Sequence, residues 1–125
     1  MEPSVEDVAV GDDPRPRARI VEAPRIGYLA RNEIAPGVSI RQLWAAGRSN
    51  AGLLSMEPGA ELPEHVHKGH AHHVWTVSGV VETLDHWLPP GSYVYVPPGE
   101  PHGLSAGSEG ASLFYLYLET TGSPR

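Results

Sequence analysis

At 125 residues the chain has the length of one domain with one core, and its net charge of −6, with no basic stripe to neutralise phosphates, excludes nucleic acid as a partner. The absence of cysteine excludes disulfide staples and thiolate ligands. Fourteen glycines and 13 prolines are too many for a helical protein and suit short strands joined by tight turns.

Residues 1–18 hold five acids before Pro14-Arg15-Pro16-Arg17 and carry no apolar periodicity, so they read as a disordered N-terminal arm. The first residues lack the basic and apolar regions of a signal peptide. The longest apolar run, Leu113 to Leu118, is too short to span a bilayer, so a cytoplasmic protein without membrane contact is expected. Beyond the arm, alternating or apolar runs predict strands over Arg19–Glu22, Ile26–Ala30, Val38–Ala45, Ala51–Met56, His70–Val77, Val80–Leu84, Ser92–Val96 and Ala111–Leu118. Pro-Gly, Ser-Gly and Pro-Pro-Gly signals separate these runs, and no helical period persists beyond two turns. The expectation is an all-β sandwich or barrel, a single domain over residues 19–120, with a C-terminal tail at 121–125.

Seven histidines are distributed unevenly. Gly59 is followed after five residues by His65-Val66-His67, and after four more by His72. Gly91 is followed after five residues by Pro97-Pro98-Gly99, and after two more by His102. On a strand an His-x-His pair turns both rings to one face, because side chains alternate with period two. His72 would face inward with Val74 and Thr76, while His73 and Trp75 point the other way. His70 shares the His72 face and is the alternative to it. His102 follows a Pro-Pro-Gly-Glu-Pro turn that can carry it back over the same face. Neutral imidazole is the commonest metal ligand, and four of them suit Zn, Mn, Fe, Ni or Cu better than Ca or Mg.

These two spacings resemble the paired motifs of the cupins. The first cupin motif runs glycine, five residues, His-x-His, three or four residues, glutamate, six residues, glycine, and Gly59 to Gly79 follows it with His72 in the place of the glutamate. The second runs glycine, five residues, Pro-x-Gly, two residues, histidine, three residues, asparagine. Gly91 to His102 follows it, and Ala106 stands where the asparagine would. The resemblance implies a double-stranded β-helix, the cupin jelly-roll barrel, holding one divalent transition metal (Zn, Mn, Fe or Ni) on His65, His67, His72 and His102. It also implies a homodimer.

Replacing a carboxylate by His72 has an electrostatic consequence. Four neutral imidazoles leave the full charge of a divalent ion uncompensated, which makes a stronger Lewis acid and favours the lower oxidation state. Four-histidine cupins include zinc-containing aromatic polyketide cyclases and manganese proteins. The segment from Asp85 to His102 is also similar to the second half of cupin dioxygenases acting on hydroxyacetophenones and diketones. The expected function is therefore an enzyme that binds a small-molecule substrate, an enolisable aromatic or polyketide-like ketone, and stabilises its enolate. His86 and Asp85 are the candidate proton acceptors, with Glu64 and Glu82 as further acids near the motifs. An Fe(II) dioxygenase and a non-catalytic sensor of metal or ligand are the alternatives.

Overall fold

The computed structural model describes residues 18–120, so the expected arm and the C-terminal tail lie outside the described residues, apart from the arm's last residue, Ala18. One short helix, α1 (Ala23–Ile26), is followed by β1 (Asn32–Ala35), β2 (Val38–Ala46), β3 (Ser49–Met56), β4 (Glu61–His65) and β5 (His70–Thr83). Then come β6 (His86–Leu88), β7 (Tyr93–Val96) and β8 (His102–Glu119). The first two predicted strands are not formed. Pro24 fixes φ at the start of α1, and turn bonds from Tyr28 N–H to Arg25 O and from Leu29 N–H to Ile26 O carry the chain onward as turns. Conversely, β1, β4 and β6 lack a recognisable apolar alternation and appear only in three dimensions.

The strands form one antiparallel sheet in the order β1-β2-β3-β8-β5-β6, with β4 added to β8 and β7 to β5. Two long strands carry the architecture. The first half of β5 pairs with the second half of β8, from His70↔Glu119 to Gly79↔Ala111, and the second half of β5 pairs with the first half of β8 at Val81↔Ala106 and Glu82↔Ser105. A straight strand would put His72 and Thr83 roughly 36 Å apart. Both line the same pocket, so β5 must fold across from one layer to the other. Register shifts between Thr76 and Ser78 and between Gly79 and Val81 mark the bend. The sequence reading split this segment at the bend, into His70–Val77 and Val80–Leu84, where the chain in fact keeps pairing.

The bend requires glycine. Gly79 has φ +73°, and a Cβ there would lie 2.0 Å from Gly110 O, inside any permissible contact. Around this crossing the inward faces meet in a core of Val38, Leu54, Met56, Val81, Leu104, Ala106, Ala111, Leu113 and Tyr115. Another close approach sits opposite Tyr115: a Cβ on Gly52 would meet Arg41 O at 2.4 Å and the Tyr115 hydroxyl at 2.7 Å. The glycine leaves room for the tyrosine ring across the strand pair.

Gly59 provides a matched control, because its φ of +72° is nearly that of Gly79 while nothing lies within 4 Å of its Cβ position. Gly59→Ala should cost about 1 kcal/mol, the backbone term alone, whereas Gly79→Ala should cost at least about 3 kcal/mol. Denaturant unfolding of the two variants measures the difference; equal losses would mean that the crossing is not tight.

Candidate metal centre

The layers created by this crossing meet at one end of the barrel, where four histidines converge. His65 ends β4 and His102 opens β8, and they are direct cross-strand partners with ring centroids 4.5 Å apart. His67 lies beyond the end of β4, so strand alternation does not deliver it. Its backbone is held from the second motif instead: Gly99 N–H donates to His67 O at 3.0 Å. This places the His67 ring 4.7 Å from that of His65. His72 is on β5 between Val96 of β7 and Tyr117 of β8, and is only 1% exposed. Its ring lies 4.4 Å from His67 and 5.0 Å from His102. His67 and His102 face each other across the circuit at 6.2 Å.

Four imidazoles bound to one ion at about 2.0–2.1 Å have centroids roughly 4.5–5.3 Å apart when adjacent and roughly 6.4 Å apart when opposed. The observed spacings match that arrangement. At the level of donor atoms, no group of three or more His, Asp or Glu among the described residues is already turned to hold an ion. Rotation of the rings about χ2, a broad and soft torsion, is the adjustment that binding requires.

Two of the four rings have their tautomer set. His65 Nδ1–H donates to Pro63 O at 2.8 Å and His102 Nδ1–H to Glu100 O at 3.2 Å, which leaves the Nε2 lone pair free in each. His72 is different. Both its nitrogens are buried without a hydrogen-bond partner, and its ring stacks on Tyr117 at 3.7 Å and 12°. Unpaired buried polar atoms are costly in a folded protein, and a cation shared by the cluster would use one of them.

The electrostatics agree with neutral, lone-pair-bearing rings. Burial, followed by the neighbouring His67 and His102, pushes the His72 imidazole down to about 3. Burial lowers His67 as well, followed by repulsion from His65 and His102. Burial also lowers His102, against a smaller opposing pull from the Glu100 carbonyl. Desolvation raises Tyr115 and pushes Tyr117 up to about 12, so both phenols stay protonated.

Beneath the rings runs a narrow pocket whose apolar walls include Leu54, Leu62, Val74, Val96, Leu104 and Leu113. Its enclosed volume is about 10 Å³, room for roughly one water. His65 and His67 are partly exposed, so the cluster opens to solvent on their side.

The other candidates lie elsewhere. His70 shares the strand face of His72, but its Nε2 is engaged with Arg48 O at 2.6 Å and its ring lies outside the circuit of four, 6.4 Å from His67. Asp85 sits with Leu84 in the two-residue turn between β5 and β6, both at positive φ, as a type I′ hairpin demands. His86 follows it, exposed, with Nδ1 bonded to Leu84 O at 2.9 Å. Neither Asp85 nor His86 lines the pocket, nor do Glu64 and Glu82. His73 faces outward, hydrogen-bonded to the Tyr93 hydroxyl at 2.7 Å, in a cluster with Trp75 and Tyr95. Sequence reasoning missed Thr83, and it grouped Tyr115 and Tyr117 with aromatics read mainly as core, a minority of which could line a pocket, without singling these two out. The alternation Leu113, Tyr115, Tyr117 carried a signal for one shared face, yet nothing in it pointed that face at the histidines.

The comparisons with known proteins concern this same region. The ChrR cupin-like domain family matches residues 21–120. An RmlC-like cupin from Shewanella frigidimarina NCIMB 400 superposes with a TM-score of 0.69 at 21% identity, over 76% of this chain and 87% of that one. The polyketide cyclase RemF from Streptomyces resistomycificus gives 0.66 at 18% identity, over 84% of this chain and 83% of that one. The anti-sigma ChrR of Rhodobacter sphaeroides, solved in complex with SigE, gives 0.64 at 18% identity, over 78% of this chain and 56% of that one. No curated protein matches the chain.

The His72 arrangement makes the metal-free protein acid-sensitive. Above pH 6.5 His72 is neutral both folded and unfolded; below it the unfolded chain takes up a proton that the folded ring refuses until about pH 3, so stability falls as pH drops through that window. His72→Leu, close in volume and without polar atoms, should leave stability at pH 7 unchanged or raised by about 1–2 kcal/mol and should flatten the acid loss. Urea midpoints at several pH values on chelator-treated protein measure both effects. An equal acid loss in the variant would remove His72 as its source.

Proposed function

We propose, from the premise that this chain belongs to the ChrR cupin-like family, that His65, His67, His72 and His102 hold one divalent transition metal that polarises a small enolisable carbonyl compound. The observation that carries this reading is the buried His72 ring, with neither nitrogen partnered, inside a circuit of rings spaced as one ion requires. When bound, such an ion supplies Lewis-acid stabilisation of a developing enolate oxygen.

The chain's own residues contribute the remainder. Carbonyls of Pro63 and Glu100 keep His65 and His102 in the tautomer that offers Nε2. The hydrocarbon walls exclude water and so strengthen any charge interaction at the rings. The protonated Tyr115 and Tyr117 line the pocket, and their hydroxyls can donate to a ligand oxygen. The small enclosed volume favours a ligand that reaches the rings from the open side of His65 and His67 over one swallowed by the barrel.

A second reading has an observation of its own. Among the described residues no carboxylate lines the pocket, so none of them stands directly beside a bound ketone as a general base. That favours a domain that binds a metal or small ligand without turnover, as a sensor, and the ChrR likeness points the same way.

Elemental analysis of the purified protein should return one Zn, Mn, Fe or Ni per chain. Proton exchange of a 1,3-diketone in D₂O, followed by NMR alongside oxygen uptake, then separates the readings: exchange without oxygen uptake fits enolate chemistry, uptake with iron fits a dioxygenase, and tight metal with neither fits the sensor. His67→Ala should lower metal affinity at least about 100-fold while the fold is retained. Full metal content in that variant would refute the assigned ligands.

A further inference from the structure

His65 and His102 each have a backbone carbonyl to hold the ring, whereas His72 has none. What meets the His72 ring is Tyr117, its direct cross-strand partner on β8, stacked at 3.7 Å and nearly parallel at 12°. The same tyrosine ring lies 5.9 Å from His67, for which no carbonyl contact is formed in the cluster either, and 4.7 Å from the buried Tyr115 that backs it. We infer that Tyr117 is a positioning residue, a flat plate that sets the plane of the His72 ring where a hydrogen bond would otherwise do so. This rests on the proposed metal centre for its consequence, though not for its geometry.

A stacked plate and a hydrogen bond constrain a ring differently. A carbonyl accepting from Nδ1–H fixes the ring plane, the tautomer and the edge that faces the cluster. Stacking fixes the plane alone, because a half-turn about χ2 exchanges the two edges and leaves the contact intact. The His72 ring is therefore held in plane and left undecided in edge and tautomer, while His65 and His102 are each held in a single state. Binding of a cation then selects one edge of His72, through a turn about χ2 that can leave the stack on Tyr117 in place. The contact is a face-to-face packing of rings, so its effect depends on the aromatic surface and hardly on the phenol oxygen.

The test combines ring-state and affinity measurements on the whole protein. In ¹⁵N-labelled, metal-free wild type at pH 7.5, long-range ¹H–¹⁵N spectra should show His65 and His102 each as one tautomer with a protonated Nδ1, and His72 as two tautomers in exchange. A single, fixed His72 tautomer would overturn the proposal, and so requires no variant. Competitive titration with Zn²⁺ should give Tyr117→Phe an affinity within about threefold of wild type and Tyr117→Leu a loss of roughly 10–100-fold. The same two variants should keep the His65 tautomer unchanged. Wild-type affinity in a folded Tyr117→Leu would overturn the positioning role. Wild type that takes up no metal would instead sink the metal reading, while the tautomer spectra still decide how the ring is held.

Discussion

The close passage of β5 over β8 at Gly79 and Gly110 is the constraint on which the molecule depends. Both residues sit at positive φ, and a Cβ on either would enter a neighbouring carbonyl, at 2.0 Å for Gly79 and 2.7 Å for Gly110. Because the two strands cross there, each serves both layers, and one continuous sheet folds over on itself without a separate connecting element. The histidines inherit their positions from this crossing. His72 descends from one layer, His65 and His102 from the other, and their rings meet at the mouth only because the strands have been folded over one another.

The centre is arranged at some expense to the fold. Burying the His72 imidazole with no partner for either nitrogen is unfavourable, and grouping it with three other rings lowers the proton affinity of those most enclosed. A core built for stability alone would place an aliphatic side chain at position 72, beside Val96 and Tyr117. Conflicts of this kind between local rule and overall fold are concentrated at functional sites. The conflict extends below the cluster, where the Thr83 and Tyr115 hydroxyls are also buried without a partner among leucine and valine.

The charge pattern narrows the chemistry further. With histidine in the place of the acid, the ring of four imidazoles brings no negative charge, and among the described residues the pocket lining adds none. A divalent ion held there would keep most of its charge, offset only from a distance by Glu64 and Glu100 beside His102, and a ligand oxygen arriving from the open side is a natural partner for it. That is consistent both with stabilising an enolate and with retaining an anionic effector. The two differ in whether a proton acceptor is within reach, and among the described residues Glu64, Glu82 and Asp85 do not line the pocket, although Glu64 acts on His102 electrostatically.

The linear order of residues determined the fold class and the identity of the four histidines, because both leave local marks. Period-two runs between Pro-Gly turns specify strands, and glycine and histidine at set intervals specify where a chain must turn and which side chain follows. Three matters lay beyond that local code. Arg19–Glu22 and Ile26–Ala30 read as strands, but Pro24 opens a helical turn between them and neither segment enters the sheet. His67 reaches the cluster through a bond from Gly99, thirty-two residues away, and not through the alternation that His65-Val66-His67 suggests. Which side chains face His72, and which acids fail to, depends on β8 lying beside β5. Such cross-strand neighbours are set by register between distant segments, and only the tertiary structure decides it.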